Sequence, residues 1–136
     1  MATQRIVILG GTGFIGSHLT HTLVNLGHQV TLVTRRPERH RQFRVGSRVR
    51  LVQTNPYDVD ELSGLLSGCD CVVNLVGILN EEGGSTFSRA HVELPRCIVK
   101  AMRNTGVTRL LHMSALNADV NETHGRYLKT KGEGEN

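Results

Sequence analysis

Three residues near the end of the chain have the side chains and spacing needed to move a proton: Ser114, Tyr127 and Lys131. Tyr127 and Lys131 are four positions apart, so on a helix they lie on one face. An ammonium group beside a phenol favours the phenolate, and such a tyrosine can pass a proton to or from a substrate hydroxyl. Ser114 directly follows a segment predicted as a strand, Arg109–Met113. Active sites of open parallel sheets lie at this end of the strands.

A tyrosine followed four residues later by a lysine also occurs by chance, so this spacing alone does not establish a catalytic site. Lys129 is a second lysine nearby, but it points from a different helix face. The interpretation therefore depends on the elements that would position these side chains.

The most informative of those elements is the segment Ile6–Gly16, which predicts a strand, a tight turn and the start of a helix. Four apolar residues lead into glycines at positions 10, 13 and 16. Gly10 allows the chain to leave the strand in a conformation that side chains disfavour. Gly13 allows a phosphate to approach backbone N–H groups at a helix N-terminus, and Gly16 allows the helix to pack closely on the strand. We expect a dinucleotide-binding turn rather than a purely structural one.

The run Gly-Gly-Thr-Gly-Phe-Ile-Gly resembles the opening of the short-chain dehydrogenase/reductase superfamily, in its extended or atypical branch (the NAD-dependent epimerase/dehydratase family). Asn-Leu-Val-Gly-Ile-Leu, from Asn74, resembles members related to the 39-kilodalton accessory subunit of respiratory complex I. The resemblance implies that Ser114 steadies a substrate oxygen, Tyr127 transfers the proton, and Lys131 also holds the nicotinamide ribose. It further implies cofactor contacts from the turn, at Gly10, Thr12, Gly13, Phe14, Ile15 and Gly16.

The end of the second predicted strand, Val30–Thr34, indicates which dinucleotide is preferred. An acidic residue here accepts hydrogen bonds from the ribose 2′-OH in NAD-preferring sites, but this chain has Thr34 followed by Arg35 and Arg36. A guanidinium can grip a 2′-phosphate that a carboxylate would repel. The pattern favours NADP(H) and leaves NAD(H) open. The alternative is that the two arginines are solvated and hold no phosphate.

Other contacts follow from the resemblance. Asn55 stands where relatives carry an aspartate that meets the adenine edge, and its amide oxygen could accept from the adenine amino group. In the family, small residues at the C-terminal end of the fourth strand line the ribose and nicotinamide side of the cofactor. The fourth strand and its exit are Cys71–Gly77 here, so Leu75, Val76 and Gly77 are expected beside the cofactor. His91 replaces an asparagine that is usual in the family's long helix. It is a candidate site residue, and a packing role in that helix is an equal alternative. Asp58 is expected to cap the helix Val59–Leu66, which is a structural role.

Composition limits the other classes of function. The chain has 136 residues, 38% of them hydrophobic, and no apolar run near the ~20 residues that cross a bilayer. Its three cysteines lack metal spacing and are expected as buried or half-buried thiols in a reducing cytoplasm, and the histidines also lack ligand spacing, so we expect no metal site. The net charge of +4 conceals +6 between Arg35 and Arg50. That patch lacks a nucleic-acid motif, so we expect no nucleic-acid partner.

These elements predict an α/β fold of the Rossmann type, a three-layer doubly wound parallel sheet with strand order 3-2-1-4-5. We expect one NAD(P)-binding domain over residues 1–136, incomplete after the Tyr/Lys helix, with the C-terminal substrate region of the family absent. A long third helix is expected from Thr86 to Asn104, with Pro95 bending or breaking it.

Three functions remain open at this point. The first is the NADP(H)-binding portion of an oxidoreductase or epimerase/dehydratase that acts on a hydroxyl or carbonyl substrate of unknown identity. The second is an accessory subunit that holds NADPH without turnover, which would allow peripheral association with a membrane complex. The third is a redox-sensing regulator that binds NAD(P). This chain by itself is expected to be inactive.

Overall fold

A computed structural model describes residues 3–11, 14–34, 48–76 and 92–113, which form a parallel sheet with helices on both faces. The strands are β1 (Arg5–Leu9), β2 (Gln29–Thr34), β3 (Val49–Gln53), β4 (Cys71–Asn74) and β5 (Leu110–His112). The helices are α1 (Phe14–Asn25), α2 (Val59–Leu66) and α3 (Leu94–Thr105).

The strand order is β3-β2-β1-β4-β5, and every neighbouring pair is parallel. This order confirms the predicted one. The chain moves outward from β1 to β3 and then returns across the sheet to β4, so the direction of winding reverses between β1 and β4. Ligands of open α/β sheets bind outside the carboxyl ends of the strands at such a reversal.

Two apolar layers hold the helices on the sheet. On one face, α2 and α3 pack Leu62, Leu66 and Ile98 against Val7, Leu9 and other strand residues. On the other face, Leu19, Leu23 and Val24 of α1 cover Ile6, Ile8 and their neighbours. Alternate residues of β1 therefore point into different layers, and a strand covered on both faces must be apolar throughout. This explains the run Ile-Val-Ile-Leu.

The ends of the helices follow their capping residues. Gly27, with φ +91°, ends α1, where the N–H of Gly27 donates to Val24 and that of His28 donates to Leu23. This pair of bonds is the Schellman arrangement. At the start of α2, the Asp58 carboxylate accepts from the N–H of Glu61 at 3.1 Å. The predicted bounds and cap of α2 are thus confirmed.

The structure changes two expectations about apolar residues and Pro95. The apolar pattern after the glycine turn also includes Phe14, Ile15 and Leu26, but their side chains are exposed. The side of α1 toward the sheet is formed by Leu19, Leu23 and Val24 together with the buried Gly16 and Thr20. Pro95 lies in the first turn of α3 rather than inside the helix, where its missing N–H has no partner to lose. The predicted segment before residue 92 lies outside the described residues.

Candidate functional site

The carboxyl ends of β1 and β4 come into close contact at the reversal point. Gly10 leaves β1 with φ +77°, and a Cβ atom there would stand 2.8 Å from the backbone nitrogen of Val76 and 2.9 Å from the carbonyl carbon of Leu75. Both the left-handed conformation and the lack of space require glycine. The structure therefore brings together three of the residues predicted for cofactor binding: Gly10, Leu75 and Val76.

A second close contact sets the path of the chain from β1 into α1. A Cβ on Gly16 would overlap the backbone of Gly11, so the helix approaches the turn more closely than any side chain allows. Gly11 is constrained as well, because a Cβ there would lie 2.6 Å from Leu32 and 2.8 Å from Ile8. The predicted packing partner of Gly16 was the strand; the observed partner is the turn that follows it. Gly11 was not predicted as a constrained position.

Two large apolar side chains stand exposed where α1 begins. Phe14 is 80% exposed and Ile15 is 51% exposed. The ring of Phe14 meets that of His18 edge to face, with centroids 4.7 Å apart. The first turn of a helix presents backbone N–H groups and the positive end of the helix dipole, which favour a phosphate. Phe14 and Ile15 therefore place exposed apolar surface at the start of α1.

Sequence reasoning missed a polar pair at the ends of β4 and β5. Asn74 is 1% exposed; its amide nitrogen lies 3.0 Å from Nδ1 of His112, and its amide oxygen accepts from the N–H of Val76 at 3.2 Å. The sequence pattern assigns Asn74 no role beyond its place in the family-like run Asn-Leu-Val-Gly-Ile-Leu. The available signal was a polar residue ending a buried apolar strand, where an unpartnered amide is costly.

Asn55 lies beyond the end of β3, on the far side of β2 from the crevice between β1 and β4. Its side-chain oxygen accepts from the N–H of Tyr57 at 3.1 Å, and its backbone carbonyl accepts from Asp58. These bonds form a turn stabilised by the asparagine itself. An amide oxygen has two lone pairs and Asn55 is exposed, so this oxygen can accept a second hydrogen bond. The contact with adenine stays a prediction.

Several predicted site residues lie outside the described residues. They are Thr12, Gly13, Arg35, Arg36, Gly77, His91, Ser114, Tyr127 and Lys131. The structure does place the elements that precede some of them: Thr34 ends β2 immediately before the two arginines, and β5 with Met113 leads to Ser114.

The cysteines are free thiols whose reactivity at neutral pH is low. Cys71 is buried, and Cys69 and Cys97 are half-buried, as predicted. Burial raises the pKa of Cys69 to about 11, with the nearby Cys71 and Asp70 adding to the effect. Burial also raises the pKa of Cys71, against an opposing influence of Arg109. Both thiols are therefore protonated near neutrality, and the reactive form is the thiolate.

The described residues offer neither a metal cluster nor a membrane-spanning helix. No group of three or more histidine, cysteine, aspartate or glutamate side chains there is arranged to hold a metal ion. No helix in that part of the chain is long and apolar enough to cross a membrane.

A cleft of about 400 Å³ lies away from the glycine turn, and Arg5, Arg48 and Arg50 line part of it. It also includes Gln29, so it opens at the amino ends of β1 and β2. Cofactors of this class of sheet bind at the opposite, carboxyl edge. The cleft is therefore not the dinucleotide crevice.

A family profile described as NAD(P)H-binding matches residues 10–136. The chain belongs to this NAD(P)H-binding family. Its match begins at Gly10, the residue whose backbone geometry sets the crevice.

Curated relatives relate this NAD(P)H-binding domain to two groups. It is 29% identical over 133 residues to the mitochondrial NADH dehydrogenase [ubiquinone] 1 alpha subcomplex subunit 9 of Rattus norvegicus, covering 94% of this chain and 35% of the relative. It is 44% identical over 107 residues to the Epimerase family protein SDR39U1 of Homo sapiens, covering 73% of this chain and 32% of the relative. The chain thus spans about a third of the length of these relatives.

Solved structures show the same fold. A mutant uronate dehydrogenase from Agrobacterium tumefaciens, complexed with NAD, superimposes with a TM-score of 0.78 at 22% identity. The match covers 98% of this chain and 54% of that one. The chain is an NAD(P)-binding Rossmann domain related to the extended short-chain dehydrogenase/reductase and epimerase superfamily and to the 39-kilodalton subunit of complex I.

Proposed function

We propose that this chain binds NADP(H) as the cofactor-binding part of an extended or atypical short-chain dehydrogenase/reductase. The observation that carries the proposal is the crevice between β1 and β4, where Gly10 and the backbone of Val76 leave no room for a side chain. The pyrophosphate would lie over the glycine turn at the start of α1, and Leu75 and Val76 would border the nicotinamide side.

The preference for NADP(H) is supported by the end of β2. Thr34 stands where a carboxylate would bind the 2′-OH of NAD, and Arg35 and Arg36 follow it. A threonine does not repel a 2′-phosphate, and a guanidinium can bind it through paired charged hydrogen bonds.

The proposed reaction transfers hydride between the nicotinamide and a carbon that carries a hydroxyl or carbonyl group, and the nicotinamide supplies or accepts that hydride. Ser114 would hold the substrate oxygen, and Tyr127 would give or take the proton. Lys131 would favour the phenolate of Tyr127 and bind the nicotinamide ribose. These roles rest on the family resemblance and on the position of Ser114 after β5.

The cofactor proposal is tested by titrating NADPH and NADH separately while following nicotinamide fluorescence. We expect tighter binding of NADPH, and we expect the preference to disappear in the double variant Arg35→Ala, Arg36→Ala. Arg50→Ala is the matched control, because it removes one exposed positive charge on β3, near the amino-edge cleft. Equal binding of both nucleotides by the unchanged protein would contradict the preference for NADP(H).

A second candidate function is an accessory subunit that binds NADPH without turnover. It is favoured by the similarity to the NADH dehydrogenase subunit over 94% of the chain. The two are separated by Tyr127→Phe in the longest available form of the protein. An oxidoreductase loses nicotinamide turnover and keeps NADPH binding, whereas an accessory subunit shows no turnover before or after the change.

A further inference from the structure

Asn74 is an unusual residue to find in β4. All four residues of this strand are buried, and its other members are a cysteine and two valines. An amide in such a place is costly unless each of its groups has a partner, and asparagine is among the residues depleted in strands. The partners of Asn74 therefore define what this side chain does.

The hydrogen bonds of Asn74 determine the state of His112. The backbone N–H of Val76 can only donate, so the Asn74 atom that faces it at 3.2 Å is the amide oxygen. The amide nitrogen then faces Nδ1 of His112 at 3.0 Å. An amide NH₂ only donates, so Nδ1 must accept. The His112 ring in this arrangement is neutral and carries its proton on Nε2.

One bond of Asn74 holds backbone that borders the dinucleotide crevice, and the other joins its side chain to that of His112. The bond to Val76 folds the chain back two residues after Asn74, in a turn closed by the asparagine side chain. It holds the nitrogen of Val76 in the place that excludes a side chain at Gly10. The bond to His112 ties the same amide to the neighbouring strand, where Asn74 and His112 are register partners.

We infer that Asn74 and His112 are positioning residues that fix the β4 side of the nicotinamide dinucleotide crevice through the backbone of Val76. This inference rests on the proposed function and adds to it two residues that act through the backbone of Val76. His112 locks the orientation of the Asn74 amide, and Asn74 in turn locks Val76 against Gly10. The pair therefore contributes to the affinity for NADPH and NADH alike.

The test compares three variants. Asn74→Leu removes both bonds at similar size. Asn74→Asp keeps an oxygen that accepts from Val76 but removes the amide donor. His112→Phe keeps a ring but removes the acceptor. Thr20→Val is the matched control, since Thr20 is also buried (2% exposed) and its hydroxyl has no hydrogen-bond partner among the described residues.

Dissociation constants for NADPH and NADH are measured for each variant. Urea unfolding gives the free energy of unfolding of the same variants. We expect Asn74→Leu to weaken both nucleotides by about tenfold, which is the loss expected for one to two hydrogen bonds. Asn74→Asp keeps the turn at Val76 but loses the donor to His112, so it should weaken both nucleotides less than Asn74→Leu does. His112→Phe, which also removes only that bond, should weaken them to a similar, smaller extent. Thr20→Val should bind as the unchanged protein does.

Nuclear magnetic resonance supplies a readout that does not need the nucleotide. We expect the His112 ring to show the Nε2–H form in the unchanged protein and to lose the signature of an accepting Nδ1 in Asn74→Leu. The amide of Val76 should exchange slowly with solvent in the unchanged protein and faster in Asn74→Leu.

The outcomes separate this inference from the proposed function. If the unchanged protein binds the nucleotides and Asn74→Leu binds them equally well, the positioning role is overturned and the proposed function stands. If the unchanged protein binds neither nucleotide, the proposed function and the positioning role both fail. A proton on Nδ1 of His112 in the unchanged protein would also overturn the inference, because Nδ1 could not then accept from Asn74.

Discussion

At the scale of single residues, the site depends on positions that have no room for a side chain. Gly10 and Gly16 allow backbone segments to meet where any Cβ would collide with other backbone. Such contacts cannot relax easily, because a protein interior is close-packed and backbone is harder to move than the tip of a side chain.

A pair of glycine-to-alanine changes tests this at two helical positions. Gly16→Ala should destabilise the protein by about 1–3 kcal/mol through overpacking against Gly11, and it should weaken dinucleotide binding. Gly64→Ala, on the exposed side of α2 with nothing within 4 Å of its Cβ position, should stabilise by about 0.5–1 kcal/mol through helix propensity. Urea unfolding measures the free energy of unfolding of both variants. If Gly16→Ala changes it in the same way as Gly64→Ala, the contact between Gly16 and Gly11 can relax.

The shifted pKa of Cys69 gives a prediction at alkaline pH. The thiol titrates at about 11 in the folded protein, against 9.0 for the unperturbed group, so folding favours the protonated form. Its contribution to stability is complete below pH 9 and is lost as the pH rises from about 9 through 11. Cys69→Ala should therefore unfold with a weaker dependence on pH over that range than the unchanged protein.

Alkylation gives an independent measurement of the same thiol. The rate of modification of Cys69 by iodoacetamide should rise with pH and reach half its maximum near pH 11, because only the thiolate reacts. A midpoint near 9 would mean that burial does not protect Cys69 in solution.

At the scale of elements, short polar residues end two of the strands and start the next segment. Asn55 closes a turn beyond β3 and Asn74 closes one beyond β4, each because its side-chain oxygen accepts from the N–H two residues ahead. Asp58 then caps α2. These local bonds determine where the chain turns away from the sheet, and so they shape its carboxyl edge.

The cap of α2 can be tested directly. Asp58→Ala should lower the free energy of unfolding by about 1 kcal/mol, because the N–H of Glu61 loses its acceptor. Asp60→Ala is the control, since Asp60 lies in the same first turn, where its charge interacts with the helix dipole, but is not the cap residue. A loss at Asp60 as large as at Asp58 would mean that charge, rather than the capping bond, is responsible.

At the scale of the whole molecule, the two apolar layers leave the carboxyl edge of the sheet as the place where α1 and the exits of β1 and β4 converge. A ligand bound there contacts segments that are distant in the chain. It should therefore stabilise the folded state by mass action.

This prediction is measured by thermal unfolding with increasing NADPH. At a concentration about 100 times the Kd, the free energy of unfolding should rise by about 2.7 kcal/mol. Gly10→Ala should show little of this rise, because a Cβ there displaces the backbone of Val76. An unchanged midpoint over the whole concentration range would contradict dinucleotide binding.

Much of the fold could be predicted from sequence because its signals are local. The apolar run of β1, the glycines after it, the cap at Asp58 and the terminating Gly27 each act within a few residues. The strand order followed from the family resemblance and the alternation of strands and helices. For α1 the apolar pattern was less informative, because Phe14 and Ile15 follow it without being buried.

The amino-acid sequence by itself determined the class of fold, the glycine turn and the family, because periodicity, turn chemistry and spacing are properties of neighbouring residues. Only the tertiary structure showed that Gly10 meets Val76, that Gly16 meets Gly11, and that Asn74 bonds to His112, 38 positions away. These three contacts depend on the register of the parallel strands and on how closely a helix packs against its neighbours. Those quantities are set by the sheet and its two apolar layers together, and no single segment encodes them.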